Sequence, residues 1–209
     1  MSETLSEQDG HSEMMVDLFT KNFWLAIGTW VVLYGLDYGL TLVGAKLYRS
    51  RGSKHYSFSE GYELNPVFKE DIARLRVFSF RFFLLLIFSS GLLAILYSAN
   101  FPPAFVLAWG ALVGVQLSIL HRHIRNLALF YHAHDSGGIS GRIEIKHWLS
   151  LRLAGVESIY FCGLFLFLYL LTGSLFMLGA AAGCFSLGLR AVLDSRKNRR
   201  LATKSETKS

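Results

Sequence analysis

Residues 23–47 read FWLAIGTWVVLYGLDYGLTLVGAKL, an apolar run whose only charged residues are Asp37 and, at its end, Lys46. At 1.5 Å of rise per residue this run crosses a hydrocarbon core of about 30 Å as a helix. Four further stretches, 77–97, 102–120, 153–172 and 174–193, have the same character. A hydrophobic fraction of 52% against 17% charged residues excludes an ordinary soluble domain. The sequence therefore predicts an all-α, polytopic membrane helix bundle of five transmembrane helices over residues 21–195. An acidic tail (1–20), expected to be disordered, precedes it and a basic tail (196–209) follows. The boundary between the last two spans rests on Thr172–Gly173–Ser174, so one long or re-entrant element competes with two helices there.

Charge placement predicts the orientation. The first 20 residues hold Glu3, Glu7, Asp9, Glu13 and Asp17 without a single Lys or Arg, whereas Arg49, Arg51, Lys54, Lys69, Arg74 and Arg76 follow the first span. Arg122, Arg125, Arg142 and Lys146 follow the third, and Arg196, Lys197, Arg199 and Arg200 follow the fifth. An N-out/C-in arrangement puts every basic segment on the cytoplasmic side. The net charge of +6 is thus a topology signal. The expected partners are the lipid bilayer and, at the basic tail, anionic headgroups; no nucleic acid is expected. The N-terminus lacks the layout of a cleaved signal peptide, so the first span is expected to remain as an anchor. Cys162 and Cys184 both lie within spans and read as small apolar packers.

Asp37, Arg81 and Glu157 are the charges set inside the apolar spans, and charge at that depth is kept against a partner, a cavity or a substrate path. In the first span, Trp30, Tyr34, Asp37, Thr41 and Gly44 share one helical face. Gly28, Gly35 and Gly39 line the opposite one, where Gly35-x-x-x-Gly39 permits close approach of another helix. Gly179 and Gly183 offer a second such face. A homo-oligomer through either pair is expected. Counting residues from the cytoplasmic boundary places Asp37, Arg81, Glu157 and His121 together in the inner half of the bilayer. There they would form a polar site lidded by the 60–65 segment. The alternative for the charged trio is an ion-pair network that fixes helix register.

Between the first two spans, Asn65–Pro66 has the form of a helix N-cap and first residue, predicting that the second helix starts at Pro66, outside the membrane. The third helix is expected to run on past Leu120 to about Asp135, where Ser136–Gly137–Gly138 breaks it. Residues 142–152 read as an interfacial entry to the fourth span, with Trp148 at headgroup level. The sequence lacks a P-loop, a nucleophile elbow and a His-Glu-x-x-His zinc motif.

Asp37-x-x-x-Thr41, then Glu63-x-Asn65-Pro66, then a cation early in the second span (Arg81) resembles a family of small uncharacterised prokaryotic multi-pass membrane proteins with D-x-x-x-T and E-x-N-P motifs. The resemblance covers the first three spans, about residues 30–130. It departs from the family in having Arg81 where the family has Lys, and in a longer loop. It implies that Asp37, Thr41, Glu63 and Asn65 matter beyond packing, in a prokaryotic cytoplasmic membrane.

The leading expectation is a transporter-like or ligand-binding protein whose site holds Asp37, Thr41, Glu63, Asn65, Arg81 and Glu157. The rival is an intramembrane metal-dependent hydrolase, with His121, Asp37 and Glu63 as ligands and Glu157 as acid/base. A third reading is an assembly subunit with no site. The sequence names no cofactor.

Overall fold

The computed structural model describes residues 22–59, 67–135 and 141–206. Six α-helices fill most of them: α1 (Phe23–Ser50), α2 (Lys69–Ala73), α3 (Phe80–Ser98), α4 (Pro102–Asp135), α5 (His147–Thr172) and α6 (Leu175–Glu206). All but α2 are long and apolar enough to cross a membrane. The chain is an all-α bundle of five such helices, an integral membrane protein whose apolar surface contacts the bilayer. α3 makes the point plainly. Phe80, Phe88 and Ile95 are each at least 67% exposed, an outward greasy face that only lipid accommodates.

Local signals set the ends. Asn22 caps α1, its side chain accepting from the Leu25 N–H at 3.2 Å. Gly173, at φ 65°, closes α5 in the left-handed conformation that glycine adopts without strain. The short turn there makes α5 and α6 two separate antiparallel helices, which resolves the ambiguity at 172–174. α6 then continues as helix through the basic segment to Glu206.

The second helix departs from expectation. Asn65 and Pro66 lie outside the described residues; Val67 and Phe68 form a turn, and α2 runs only from Lys69 to Ala73. Leu75 then takes φ 51° and the chain restarts as α3 after Ser79. Ser79 both caps α3 (accepting from the Phe82 N–H, 3.3 Å) and donates to Asp71 Oδ2 at 2.6 Å. Arg76 Nη1 donates to Asp71 Oδ1 at 3.2 Å. The Ser79 hydrogen bond is the chief reason the Asp71 carboxylate is held below its ordinary range, against the opposing pull of burial. The Tyr38 hydroxyl donates to the Arg76 carbonyl at 2.7 Å, pinning this elbow to α1.

A second departure is a pair of short strands. β1 (Tyr56–Phe58) and β2 (Ile143–Ile145) pair in parallel, Ser57 opposite Glu144. The segment expected to be an interfacial helix entry is therefore strand first, with α5 starting at His147. The pairing ties the α1–α2 connection to the α4–α5 connection, so both lie on one side of the bundle, as alternating spans require.

α4 is the central post. α1 and α3 pack on one flank through Trp30, Tyr34, Leu93, Phe105 and Trp109, and Trp30 Nε1 donates to Ser89 Oγ at 2.9 Å. α6 packs on the other flank, and α5 on α6. The α4–α6 crossing is glycine-dependent from both sides. A Cβ at Gly110 would strike the Phe176 carbonyl, and one at Gly179 the Leu107 carbonyl; one at Gly183 would lie 2.6 Å from Ala111 O. The Gly179/Gly183 face, expected to serve an oligomer, is consequently filled within the chain. Gly155 and Gly188 make a similar mutual approach between α5 and α6. Gly28, Gly35 and Gly39 meet nothing within 4 Å.

Candidate functional site

Asp37, Arg81 and Glu157 do not converge; each meets a partner of its own. Glu157 on α5 pairs with Arg125 of α4. Arg81, at the loop end of α3, donates to the Val67 carbonyl at 3.0 Å and lies 3.7 Å from Glu70. After the break at 74–79, Arg81 reaches back to the α2 acids. Asp37 alone reaches a cavity. Glu63 and Asn65 lie outside the described residues.

Asp37 Oδ1 lies 2.9 Å from Nε2 of His123 on α4. The Thr41 hydroxyl lies 3.1 Å from the same nitrogen and donates to the Asp37 backbone carbonyl at 2.8 Å. These contacts fix the tautomer. The carboxylate can only accept, and the threonine hydrogen is already committed to the carbonyl one turn back. Nε2 therefore carries the hydrogen and shares it between Asp37 and Thr41. In the neutral ring the lone pair then sits on Nδ1, which is buried without a hydrogen-bond partner among the described residues. The His123 side chain is 10% exposed and that of Asp37 18%. The D-x-x-x-T spacing has a physical content here: one helical turn brings both side chains of α1 to one imidazole.

The expected histidine was His121. It is exposed and packs edge-on against Phe161 at 5.4 Å. The correction is geometric: two residues turn a helix by about 200°, so His121 and His123 face nearly opposite ways. His123 belongs to the buried stripe of Val113, Gln116, Leu120 and Phe130, whose three- and four-residue spacing marks the inward face of α4. Extending that stripe past Leu120 is the signal that finds it. The hydrolase ligand set loses His121 on this ground. Among the described residues no group of three or more His, Cys, Asp or Glu is arranged to hold a metal ion.

The Asp37–His123–Thr41 cluster lines a cavity of about 440 Å³, within the range of small-molecule sites. Tyr34 and Tyr38 flank Asp37 on α1, and Phe82 of α3 lies 4.9 Å from both rings. α4 adds Arg122 and Asn126 beside His123. The far wall comes from α5 (Leu151, Ala154, Ser158) and from α6 (Leu187, Arg190, Asp194). Arg190 and Asp194 pair at 3.8 Å across one turn. The cavity thus combines a buried hydrogen-bonded carboxylate–imidazole pair, two guanidinium groups and a half-apolar lining. Such a site can hold an anionic or zwitterionic group and accept a proton beside it. Arg81 and Glu157 are outside the lining. No family model, no curated protein and no solved structure matches this chain.

Proposed function

We propose that the protein is a transporter-like, ligand-binding membrane protein that takes its ligand in this cavity and links binding to a proton at Asp37–His123. One observation carries the reading: a nine-tenths buried imidazole, bonded to an intramembrane carboxylate and lacking a partner at Nδ1, lines a cavity that also holds Arg122 and Arg190. A buried polar atom without a partner costs stability, so its retention beside a cavity is better explained by use than by packing. A proton arriving from water binds the Nδ1 lone pair, the ring becomes imidazolium, and Asp37 balances its charge through Nε2. An anionic ligand beside Arg122 favours that form, and its departure releases the proton. The same reading carries an N-out orientation in a prokaryotic cytoplasmic membrane, following the basic segments. The open Gly35/Gly39 face is then the contact for a second copy, and the basic end of α6 lies on anionic headgroups.

The test uses proteoliposomes containing a pH dye, with a membrane potential imposed. They are challenged in turn with carboxylates, phosphates, amines and amphiphiles bearing the same groups. At least one class is expected to change the internal pH above protein-free vesicles. Asp37→Asn cuts that response by about a hundredfold, the scale of a lost proton-transfer group, whereas Arg81→Gln preserves it. No response to any class, or an unaffected Asp37→Asn, overturns the reading.

A further inference from the structure

We infer that the ligand is a membrane amphiphile with an anionic headgroup, admitted sideways from the bilayer leaflet on the β1–β2 side; this rests on the cavity being the binding site proposed above.

The first ground is how the cavity is walled. α1 and α3 pack on one flank of α4, α6 on the other with α5 behind it, and neither α1 nor α3 makes substantial packing contact with α5 or α6. The cavity nevertheless touches all five. It is therefore a cleft between two helix pairs bridged by α4, and the gap between the pairs faces lipid. Leu85 shows the continuity directly, since it lines the cavity and is 38% exposed on a helix whose outer surface is apolar.

The second ground is the placement of the cations. Arg190 lies 15 residues into α6, about 22 Å from its start at 1.5 Å per residue, within the part of the helix that spans. Its side chain lines the cavity while remaining 78% exposed, and its link to Asp194 is a loose 3.8 Å. An exposed guanidinium on a lipid-facing helix is costly unless phosphate or carboxylate oxygens reach it, and guanidinium is the group best shaped for those anions. Arg122 lines the same cleft from α4.

Size supplies the third ground. A cavity of about 440 Å³ lies at the low end of small-molecule sites. It holds a headgroup but not the acyl chains attached to it. A lateral opening lets those chains remain in the bilayer beside Leu85 and Leu187, which a closed pocket would not.

The experiment is native mass spectrometry of the protein released from nanodiscs of phosphatidylcholine with a minor share of phosphatidylglycerol. Wild type is expected to retain phosphatidylglycerol in preference to phosphatidylcholine. Arg122→Gln/Arg190→Gln lowers that retention by about tenfold, the scale of losing a charge-assisted contact. Arg81→Gln, outside the lining, leaves it unchanged, and Arg196→Gln/Arg199→Gln/Arg200→Gln, on the end of α6, lowers it by less than the Arg122/Arg190 pair does. Arg190→Gln alone gives the same direction should the double variant fail to fold, because that side chain is mostly exposed. Retention that follows the Arg196/Arg199/Arg200 variant instead overturns the inference, as does equal retention of both lipids. Protection by inorganic phosphate without lipid preference also overturns it, by showing an anion site fed from water. Lipid retention needs no proton movement. Its loss with a surviving Asp37-dependent proton response therefore removes the amphiphile alone, and the reverse result removes the proton linkage alone.

Discussion

Deleting His123 and Asp37 singly and together separates what the pair does for the fold from what it does for the site. In His123→Leu the Asp37 carboxylate keeps its burial, with a side chain 18% exposed, and loses the donor at 2.9 Å. Breaking a buried charged pair from one side costs about 3 kcal/mol or more. In Asp37→Leu the imidazole loses the carboxylate, yet Thr41 Oγ1 still lies 3.1 Å from Nε2, so the cost falls to about 1 kcal/mol. Replacing both removes two buried polar groups together, and such replacements come out within about 1 kcal/mol of neutral. The singles then sum to about 4 kcal/mol against about 1 for the double, a coupling of about 3 kcal/mol, at the upper end for residues in contact. Reversible unfolding in bicelles, followed by Trp fluorescence, measures all three. A double variant that costs the sum of the singles to within about 0.5 kcal/mol refutes the direct contact. A His123→Leu cost below about 1 kcal/mol refutes the burial that makes the pair expensive. The same proteins serve the functional assay. The double variant is expected to fold near wild-type stability and to give no proton response, a combination a purely structural pair does not produce.

Two further expectations test the frame around the site. Asp71 is held below its ordinary value of 3.8 chiefly by Ser79, so its contribution is complete above that value and is lost as pH falls through the lower, folded one; thermal unfolding of wild type weakens across that window, and that of Asp71→Asn stays flat. Gly179→Leu drives a side chain into the Leu107 carbonyl and costs about 3 kcal/mol or prevents folding, whereas a Cβ at Gly39 meets nothing within 4 Å among the described residues, so Gly39→Leu keeps the fold of a single copy within about 0.5 kcal/mol. Equal effects of the two glycine changes on unfolding temperature refute the assignment of the α4–α6 crossing.

The spans were legible because the bilayer reads them helix by helix. Apolar length decides whether a segment crosses, and no tertiary contact enters that decision. Gly173 was legible for the same reason, since a left-handed turn residue acts locally. β1 and β2 were not. Tyr56–Phe58 and Ile143–Ile145 are three-residue segments that become strands only by pairing with each other across more than eighty residues, and neither carries an alternation long enough to announce itself. The elbow at 71–79 was hidden likewise, because Asp71, Arg76 and Ser79 act through side-chain bonds to one another rather than through helix propensity.

The site was half legible, and the reason is azimuth. Counting residues gives depth, and Asp37, singled out by its place inside a span, does line the cavity. Depth says nothing about which way a side chain points around its helix. Arg81 and Glu157 share the region with Asp37 yet face Glu70 and Arg125. Choosing His121, the residue at the cytoplasmic boundary, passed over His123 for the same reason, although continuing the buried stripe of α4 past Leu120 places His123 inward. The resulting pattern is economical for a membrane protein. Asp37, Arg81 and Glu157 each meet an opposite charge or a histidine on another segment, which lowers the cost of holding them near or in the bilayer. Two of those pairs, Arg125–Glu157 and Arg81–Glu70, have no part in the cavity lining, and fixing helix register is the role that suits them. Of these three pairs only Asp37–His123 lines the cavity, and it does so with a buried nitrogen, Nδ1, that has no hydrogen-bond partner among the described residues; the buried Oε2 of Glu157 lacks one too but is outside the lining. What distinguishes the Asp37 pair is the conjunction of an unpartnered buried nitrogen with a cavity, which register does not require.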